Sequence, residues 1–261
     1  MPILPVDASL SWRTSLAILQ RCGATIEPRD GYLVVRTPDN PGYHWGNCLV
    51  VTGDADDAAG WLDVFACEFP AANYRAIGLF QPPDANAWTA CGVTLEVERT
   101  LTSLVPIRPT PAPDGYTVAP VIGDAWDALL ETECASRPGD ADHRSFQTRR
   151  TIAQRRLVEA GDAAWFAAFA DDGSVASSLG IVLVGSRARY QSVATSPAHR
   201  RRGLARHLLG EASTWAFGRG TRQLVIVADE DADGDRLYRK AGFVPGSLGY
   251  SAYVPDVHSP P

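Results

Sequence analysis

Four prolines in eight positions, Pro106-Ile107-Arg108-Pro109-Thr110-Pro111-Ala112-Pro113, interrupt the chain near its middle. Each proline lacks a backbone donor and pushes its predecessor out of the helical region, so neither a helix nor a central strand runs through. The stretch reads as a semi-rigid connector. We therefore expect one domain over residues 1–105, a linker over 106–114 and a second domain over 115–261. A chain of 261 residues is long enough for two such domains.

Composition removes several classes. Hydrophobic residues make up 45% and charged ones 21%, as in a globular rather than a disordered chain. No window approaches the ~18 consecutive apolar residues of a membrane span. Met1-Pro2-Ile3-Leu4-Pro5 has neither a basic region nor a long apolar core, so no secretory signal is expected. Against 24 basic residues stand 30 acidic ones, a formal charge of −6. Duplex binding usually needs the opposite sign, and the dense basic run Arg200-Arg201-Arg202 is too short to track a nucleic-acid backbone. The five cysteines (Cys22, Cys48, Cys67, Cys91, Cys134) include no CxxC and lie in or beside apolar stretches. They read as small buried hydrophobes in a reducing cytoplasm, with no metal site.

Beyond the prolines, strand and helix patterns alternate. Strands are expected at Tyr116–Val121, Ala164–Ala170, Val175–Val184 and Arg187–Thr195, the middle two joined by a hairpin turn at Asp171-Asp172-Gly173. Helices are expected at Trp126–Glu133, Phe146–Glu159 and Leu204–Phe217. The last carries the apolar stripe Leu204, Leu208, Ala212, Trp215 and ends at Gly218. Leu224–Ala228 is an unbroken apolar run, which fits a strand covered on both faces. A short helix over Asp235–Ala241 and a strand over Tyr250–Val254 close the chain. The fold class is therefore α/β, a mixed sheet with helices on both sides.

The first half repeats part of this order: a strand at Asn47–Thr52, a helix at Ala58–Phe65, a strand at Tyr74–Phe80, a short helix near Ala85, then Gly92 and a strand to Arg99. Trp88-Thr89-Ala90-Cys91-Gly92-Val93 aligns with Tyr238-Arg239-Lys240-Ala241-Gly242-Phe243. An internal duplication fits this order; chance likeness between two small α/β domains is the alternative.

Arg200-Arg201-Arg202-Gly203-Leu204-Ala205 stands between a strand and a strong helix. Gly203 permits close backbone approach, small Ala205 keeps the first turn open, and the first-turn N–H groups have no intrahelical acceptor. With the helix dipole and three arginines, the segment suits a multiply charged anion such as a diphosphate. A solvated basic patch capping a helix is the plainer alternative.

Tyr190-Gln191-Ser192-Val193-Ala194-Thr195-Ser196-Pro197-Ala198-His199-Arg200-Arg201-Arg202-Gly203-Leu204-Ala205 resembles the central motif of the GNAT family of N-acetyltransferases, with its Arg/Gln-x-x-Gly-x-Gly/Ala signature at Arg200–Ala205. Leu237-Tyr238-Arg239-Lys240-Ala241-Gly242-Phe243 resembles that family's second hallmark, at the expected distance. The resemblance covers roughly residues 115 to 255. It implies a complete GNAT acyl-CoA N-acyltransferase fold in the C-terminal domain, and acetyl-CoA as acyl donor. It further implies that the amides of Arg201, Arg202, Gly203, Leu204 and Ala205, beside Arg200, wrap the pyrophosphate. Val193 and Thr195, flanking Ala194, would pair with the pantetheine arm, and the amide of Val193 or its neighbour would polarise the thioester. Tyr238 would protonate the departing thiolate. A phenol with pKa near 10 suits that role beside a thiol of about 8.5, whereas its plainer role is a packed core tyrosine.

The resemblance leaves the general base open. Relatives often carry an acid where this chain has Ala194 and a histidine where it has Ser196. Glu133, Asp140, His143 and Glu230 are candidates, as is a water chain or an amine already neutral. The first half resembles a degenerate partial copy of the same domain, as in tandem members where one half binds acyl-CoA. Its Asp54, Asp56 and Asp57 replace the basic turn and would repel a pyrophosphate; Trp88 stands in the place of Tyr238. Tyr43-His44-Trp45-Gly46-Asn47 reads as a packed aromatic turn or as part of an acceptor pocket. The expected activity is acetyl transfer to a primary amine by direct attack in a ternary complex, on a small molecule ahead of a protein, as a monomer or homodimer. A non-enzymatic acyl-CoA-binding regulatory protein is the alternative.

Overall fold

The hairpin at Asp171-Asp172-Gly173 forms as expected and anchors a five-strand sheet. The computed structural model describes residues 9–230 and 232–255; Met1–Pro5, where no signal is read, lies outside them. The chain divides into two compact units. The first comprises residues 1–100, 228–232 and 246–261, and the second residues 101–227 and 233–245.

The second unit is built from β6 (Thr117–Pro120), α4 (Ala125–Cys134), α5 (Ala141–Glu159), β7 (Ala163–Phe169), β8 (Val175–Val184), β9 (Arg187–Thr195), α6 (Leu204–Phe217), β10 (Gln223–Asp229) and α7 (Asp233–Ala241). Its strands lie in the order β10-β9-β8-β7-β6. Only the β9–β10 pair is parallel. Nearly every residue of β7 and β8 is buried, as both faces are covered. Trp165 and Ala168, three residues apart on β7, point to opposite faces. Trp126 of α4 packs on the first, with ring centroids 5.8 Å apart, and Leu204 of α6 on the second.

The Pro-rich stretch is not a free connector. It packs along α6, where Leu204, Leu208 and Ala212 are buried as expected while Trp215 is only half-buried, with Arg219 over its ring. His207, Gly210 and Ser213 form a second buried face at three-residue spacing. The Ile107 amide donates to Ser213 Oγ at 2.8 Å, and His207 Nδ1 lies 2.7 Å from the Thr110 carbonyl. A Cβ on Gly210 would stand 2.7 Å from Pro109 Cα. Ile107 is 2% exposed. The missing donors that exclude the stretch from a sheet suit it to an extended strap, held by the few polar groups it keeps.

The first unit contains α1 (Leu10–Arg21), β1 (Thr25–Arg29), β2 (Tyr32–Arg36), β3 (Cys48–Val51), α2 (Ala58–Glu68), β4 (Arg75–Leu79) and α3 (Ala85–Ala90), followed by β5 (Leu95–Ser103). Its strands run β1-β2-β3-β4, and β4 then pairs with the end of the last strand, β11 (Val244–Val254). Tyr250 faces Leu79 and Val254 faces Arg75 in antiparallel register. Residues 250–254, read from sequence with the second half, thus complete the first unit's sheet. Ala252 is 1% exposed within that unit's core. Residues 1–105 expressed alone are therefore expected to be rapidly proteolysed, and a peptide of residues 244–255 added in trans to restore resistance. Full resistance without the peptide would contradict the role of β11.

His44–Gly46 forms a single 3-10 turn. The His44 ring stacks on Tyr74 at 3.7 Å and its Nδ1 lies 2.8 Å from the Tyr253 hydroxyl. Asn47 Oδ1 accepts from the Thr37 amide at 2.9 Å, and its Nδ2 donates to the Tyr43 carbonyl at 2.9 Å. Within this unit the segment is a packed aromatic turn. Among the described residues no helix is long and apolar enough to cross a membrane.

Candidate active site

Strands β9 and β10 begin as neighbours and then part. Their parallel register covers Arg187, Ala188 and Arg189 against Gln223, Leu224 and Val225. Beyond Arg189, β9 continues to Thr195 paired, among the described residues, with β8 alone. Against β8, Ser178 faces Ala194 and Gly180 faces Gln191, so Leu179 stands opposite both Ser192 and Val193. This is a β-bulge, and Ser192 holds it with a φ of 51°. The bulge increases the twist of β9 at the place where β10 is lost. One edge of Val193, Ala194 and Thr195 is left without a strand ladder, and Ala194 is exposed.

The Thr195 end is fixed from the β8 side. Ser177 Oγ donates to the Ala194 carbonyl at 2.8 Å and lies 2.8 Å from Thr195 Oγ1. Pro197–His199 makes a 3-10 turn, and His199 Nδ1 lies 2.8 Å from the Tyr116 hydroxyl. Arg200 Nε then donates to the Thr195 carbonyl at 3.3 Å.

Two left-handed residues shape the loop that follows, Arg201 at φ 62° and Gly203 at φ 84°. Such turns gather successive amides into a concave, anion-accepting surface. Gly203 is the N-cap of α6 and supplies no side-chain acceptor, so the first-turn amides of Leu204, Ala205 and Arg206 point outward uncapped. Arg200, Arg201, Arg202 and Gly203 are exposed, Leu204 is buried and Ala205 half-buried. Arg236 chiefly holds the Asp233 carboxyl below its ordinary range, with smaller pulls from Arg201 and Arg200. The arginine loop thus lies near the start of α7.

Tyr238, on α7, is 6% exposed, and its ring meets Phe243 edge-on at 6.2 Å. Phe243 in turn packs edge-on to Tyr190 of β9 at 5.8 Å. The Tyr190 hydroxyl donates to the Leu209 carbonyl at 2.8 Å, and burial pushes its pKa up. Strand, loop and tyrosine helix therefore belong to one packed assembly. Gly242, at φ 103°, ends α7 as the Phe243 amide donates to the Tyr238 carbonyl at 3.1 Å.

Three of the four side-chain base candidates have structural partners; for Glu133 the contacts involve only its backbone carbonyl. Asp140 caps α5, accepting from the His143 amide at 2.8 Å. His143 Nε2 lies 3.2 Å from the Glu133 carbonyl and 3.1 Å from Ser136 Oγ. Glu230 is ion-paired with Arg99.

Three polar groups escaped the sequence reading. Asp235, one turn before Tyr238, is 1% exposed; its Oδ2 accepts from Arg239 Nε at 2.7 Å, while Oδ1 has no partner among the described residues. Arg206 Nη1 is likewise buried without a partner there. Its place, directly after the Gly203-Leu204-Ala205 turn, was a legible signal. Arg150 of α5 donates to Ser192 Oγ at the bulge, a contact between elements far apart in sequence that no local pattern announces.

The first unit has comparable elements closed differently. Its parallel pair β3–β4 stays in register to Val51 and Leu79, and the Phe80 amide adds a bond to the Val51 carbonyl at 3.0 Å. Asp57 caps α2 by accepting from the Gly60 amide at 3.0 Å, and Asp56 Oδ1 accepts from the Asp84 amide at 2.7 Å. Trp88 is fully buried, its indole N–H donating to the Ala55 carbonyl at 2.9 Å. The Val93 amide donates to the Trp88 carbonyl at 3.0 Å after Gly92 at φ 74°, the same ending that α7 has.

Residues 126–243 match the model of the acetyltransferase (GNAT) family, and the chain carries a GNAT acetyltransferase domain. No curated protein matches the chain in sequence. Among solved structures, a GCN5-related N-acetyltransferase from Kribbella flavida is similar at 17% identity and a TM-score of 0.65, over 95% of this chain and 96% of that one. A functionally unknown conserved protein from Staphylococcus epidermidis has 12% identity and a TM-score of 0.68, over 89% and 94%. A tandem GNAT protein from the clavulanic acid biosynthesis pathway has 13% identity and a TM-score of 0.54, over 91% and 85%. At these identities the likeness is one of fold.

Proposed function

We propose that the chain transfers the acetyl group of acetyl-CoA to the primary amine of a small molecule, by direct attack within a ternary complex. The observation that carries this reading is the loss of β10 beside β9 beyond Arg189, on the strand that leads into the uncapped loop. In this reading the amides of Arg201–Ala205, with Arg200 and Arg202, hold the pyrophosphate. The open edge of Val193, Ala194 and Thr195 pairs with the pantetheine arm, and the Val193 amide polarises the thioester carbonyl. The amine nitrogen attacks that carbon, and the C–S bond breaks as Tyr238 gives its proton to the sulfur. Burial raises the Cys134 thiol, which argues against a thiolate nucleophile and an acyl-enzyme. Asp140, His143 and Glu230 have structural partners, which leaves Glu133 as the side-chain candidate for the base, beside an amine that enters neutral or loses its proton through water.

In the same reading the first unit is a degenerate copy without a cofactor site, because its parallel strands stay paired and its helix is capped by Asp57. Titration with CoA is expected to give one equivalent per chain; two would overturn this. Acceptor-dependent release of free thiol from acetyl-CoA, across a panel of amines, tests the activity itself. A protein that binds CoA but releases no thiol with any amine would defeat the proposal.

A further inference from the structure

We propose that Arg150 recognises the acceptor, and that the acceptor is an amine bearing a carboxylate. The inference rests on the acetyl-transfer reading, which puts the reacting carbonyl at the amide of Val193, next to Ser192.

Helix α5 carries Arg144, Arg149, Arg150, Arg155 and Arg156. Arg144 is held by both oxygens of Glu131 at 2.8 Å, and Arg155 by Glu159 at 2.9 Å. Arg149 and Arg156 are exposed. Arg150 differs: it is half-buried, faces the bulge, and among the described residues no carboxylate lies within ion-pair distance. Only neutral groups fix it. Its Nη2 donates to Ser192 Oγ, its Nη1 donates to Gln147 Oε1 at 3.3 Å, and its guanidinium sits 5.9 Å from the centroid of Phe146. Gln147 is itself 6% exposed, so the group is held by the interior.

A guanidinium has five donors in a planar fork, of which these contacts use two. A half-buried cation with spare donors and no counter-charge is open to an anion that completes the pair. A carboxylate matches both the fork and the single charge. Seated there, it sets the neighbouring amine beside the thioester. The guanidinium also offsets the pull of the acceptor's own carboxylate on the ammonium proton, which eases loss of that proton before attack. The net charge of −6 points toward a cationic acceptor, but the local charge at the bulge decides.

The test uses the full chain with matched acceptors: amino acids, the same amines lacking the carboxylate, and phosphorylated amines. Thiol release is measured for the wild type, Arg150→Gln and Arg150→Lys, with CoA affinity by calorimetry as the control for folding. The carboxylated members are expected to be preferred. Arg150→Gln should raise their KM by roughly 10–100-fold, as for a lost hydrogen bond to a charged group, and leave the KM of the decarboxylated amines unchanged. Arg150→Lys should recover part of the loss. Equal losses for both members of a pair would make Arg150 only a strut between α5 and β9, and overturn the inference. Transfer that ignores the carboxylate, or prefers the phosphorylated amines, overturns it too while leaving acetyl transfer intact. No transfer to any amine would remove both.

Discussion

Phenylalanine in place of Tyr238 is expected to lower kcat by roughly 10²–10⁴-fold, the range of a lost general acid, while KM and CoA affinity barely move. The substitution removes one oxygen and keeps the ring, whose edge-on contact with Phe243 at 6.2 Å needs no hydroxyl. A loss confined to kcat marks an interaction made only in the transition state. Between pH 6 and 10 the wild type and variant should converge at the alkaline end if departure of the thiolate unprotonated becomes competitive. A variant with wild-type kcat, measured where chemistry limits the rate, would return Tyr238 to a packing role.

Aspartate at Gly203 is expected to weaken CoA binding by roughly 10–100-fold, about 1.4–2.8 kcal/mol, with the fold intact. Two physical effects separate here. At φ 84° a side chain is strained, but the nearest atom to a new Cβ is Pro113 Cγ at 4.0 Å, so space is open. Aspartate and asparagine tolerate the left-handed region better than other side chains. The carboxylate, however, would sit among the amides assigned to the diphosphate and repel it. Gly203→Asn supplies the control: similar shape, no charge, near-native affinity. Equal weakening by both variants would assign the effect to backbone strain. Unchanged affinity in a folded Gly203→Asp chain would remove the proposed cofactor loop.

The elements of the second unit were legible because their signals are local. The apolar run Leu224–Ala228, the Asp171-Asp172-Gly173 turn and the stripe Leu204, Leu208, Ala212 each announce a period or a break within a few residues. The arginine loop was legible for the same reason. What escaped depends on partners distant in sequence. His207, Gly210 and Ser213 look like ordinary interruptions of a helix until the Pro-rich strap lies across them. Ser192 reads as one more strand residue until its register with β8 shows the bulge, and Arg150 as one basic residue among five until its neighbours are seen to be neutral. The hairpin of β1 and β2 has no strong local signature either: Pro28 and Asp30-Gly31 punctuate two runs too short to show a period. The end of β11 was assigned by position in the chain, which carries no information on which strand it pairs with.

That last pairing has a consequence during synthesis. Domains generally fold as units from the N-terminus onward as the chain emerges. Here the first unit cannot close its sheet beside β4 until residues 250–254 have been made. The second unit ends at residue 245 and has its own strands before then. The half translated first is therefore finished last. Its apolar strand Arg75–Leu79 must wait with an open edge until residue 254 has been added. A chain cut between residues 245 and 250 would have a complete second unit and a first unit unable to close.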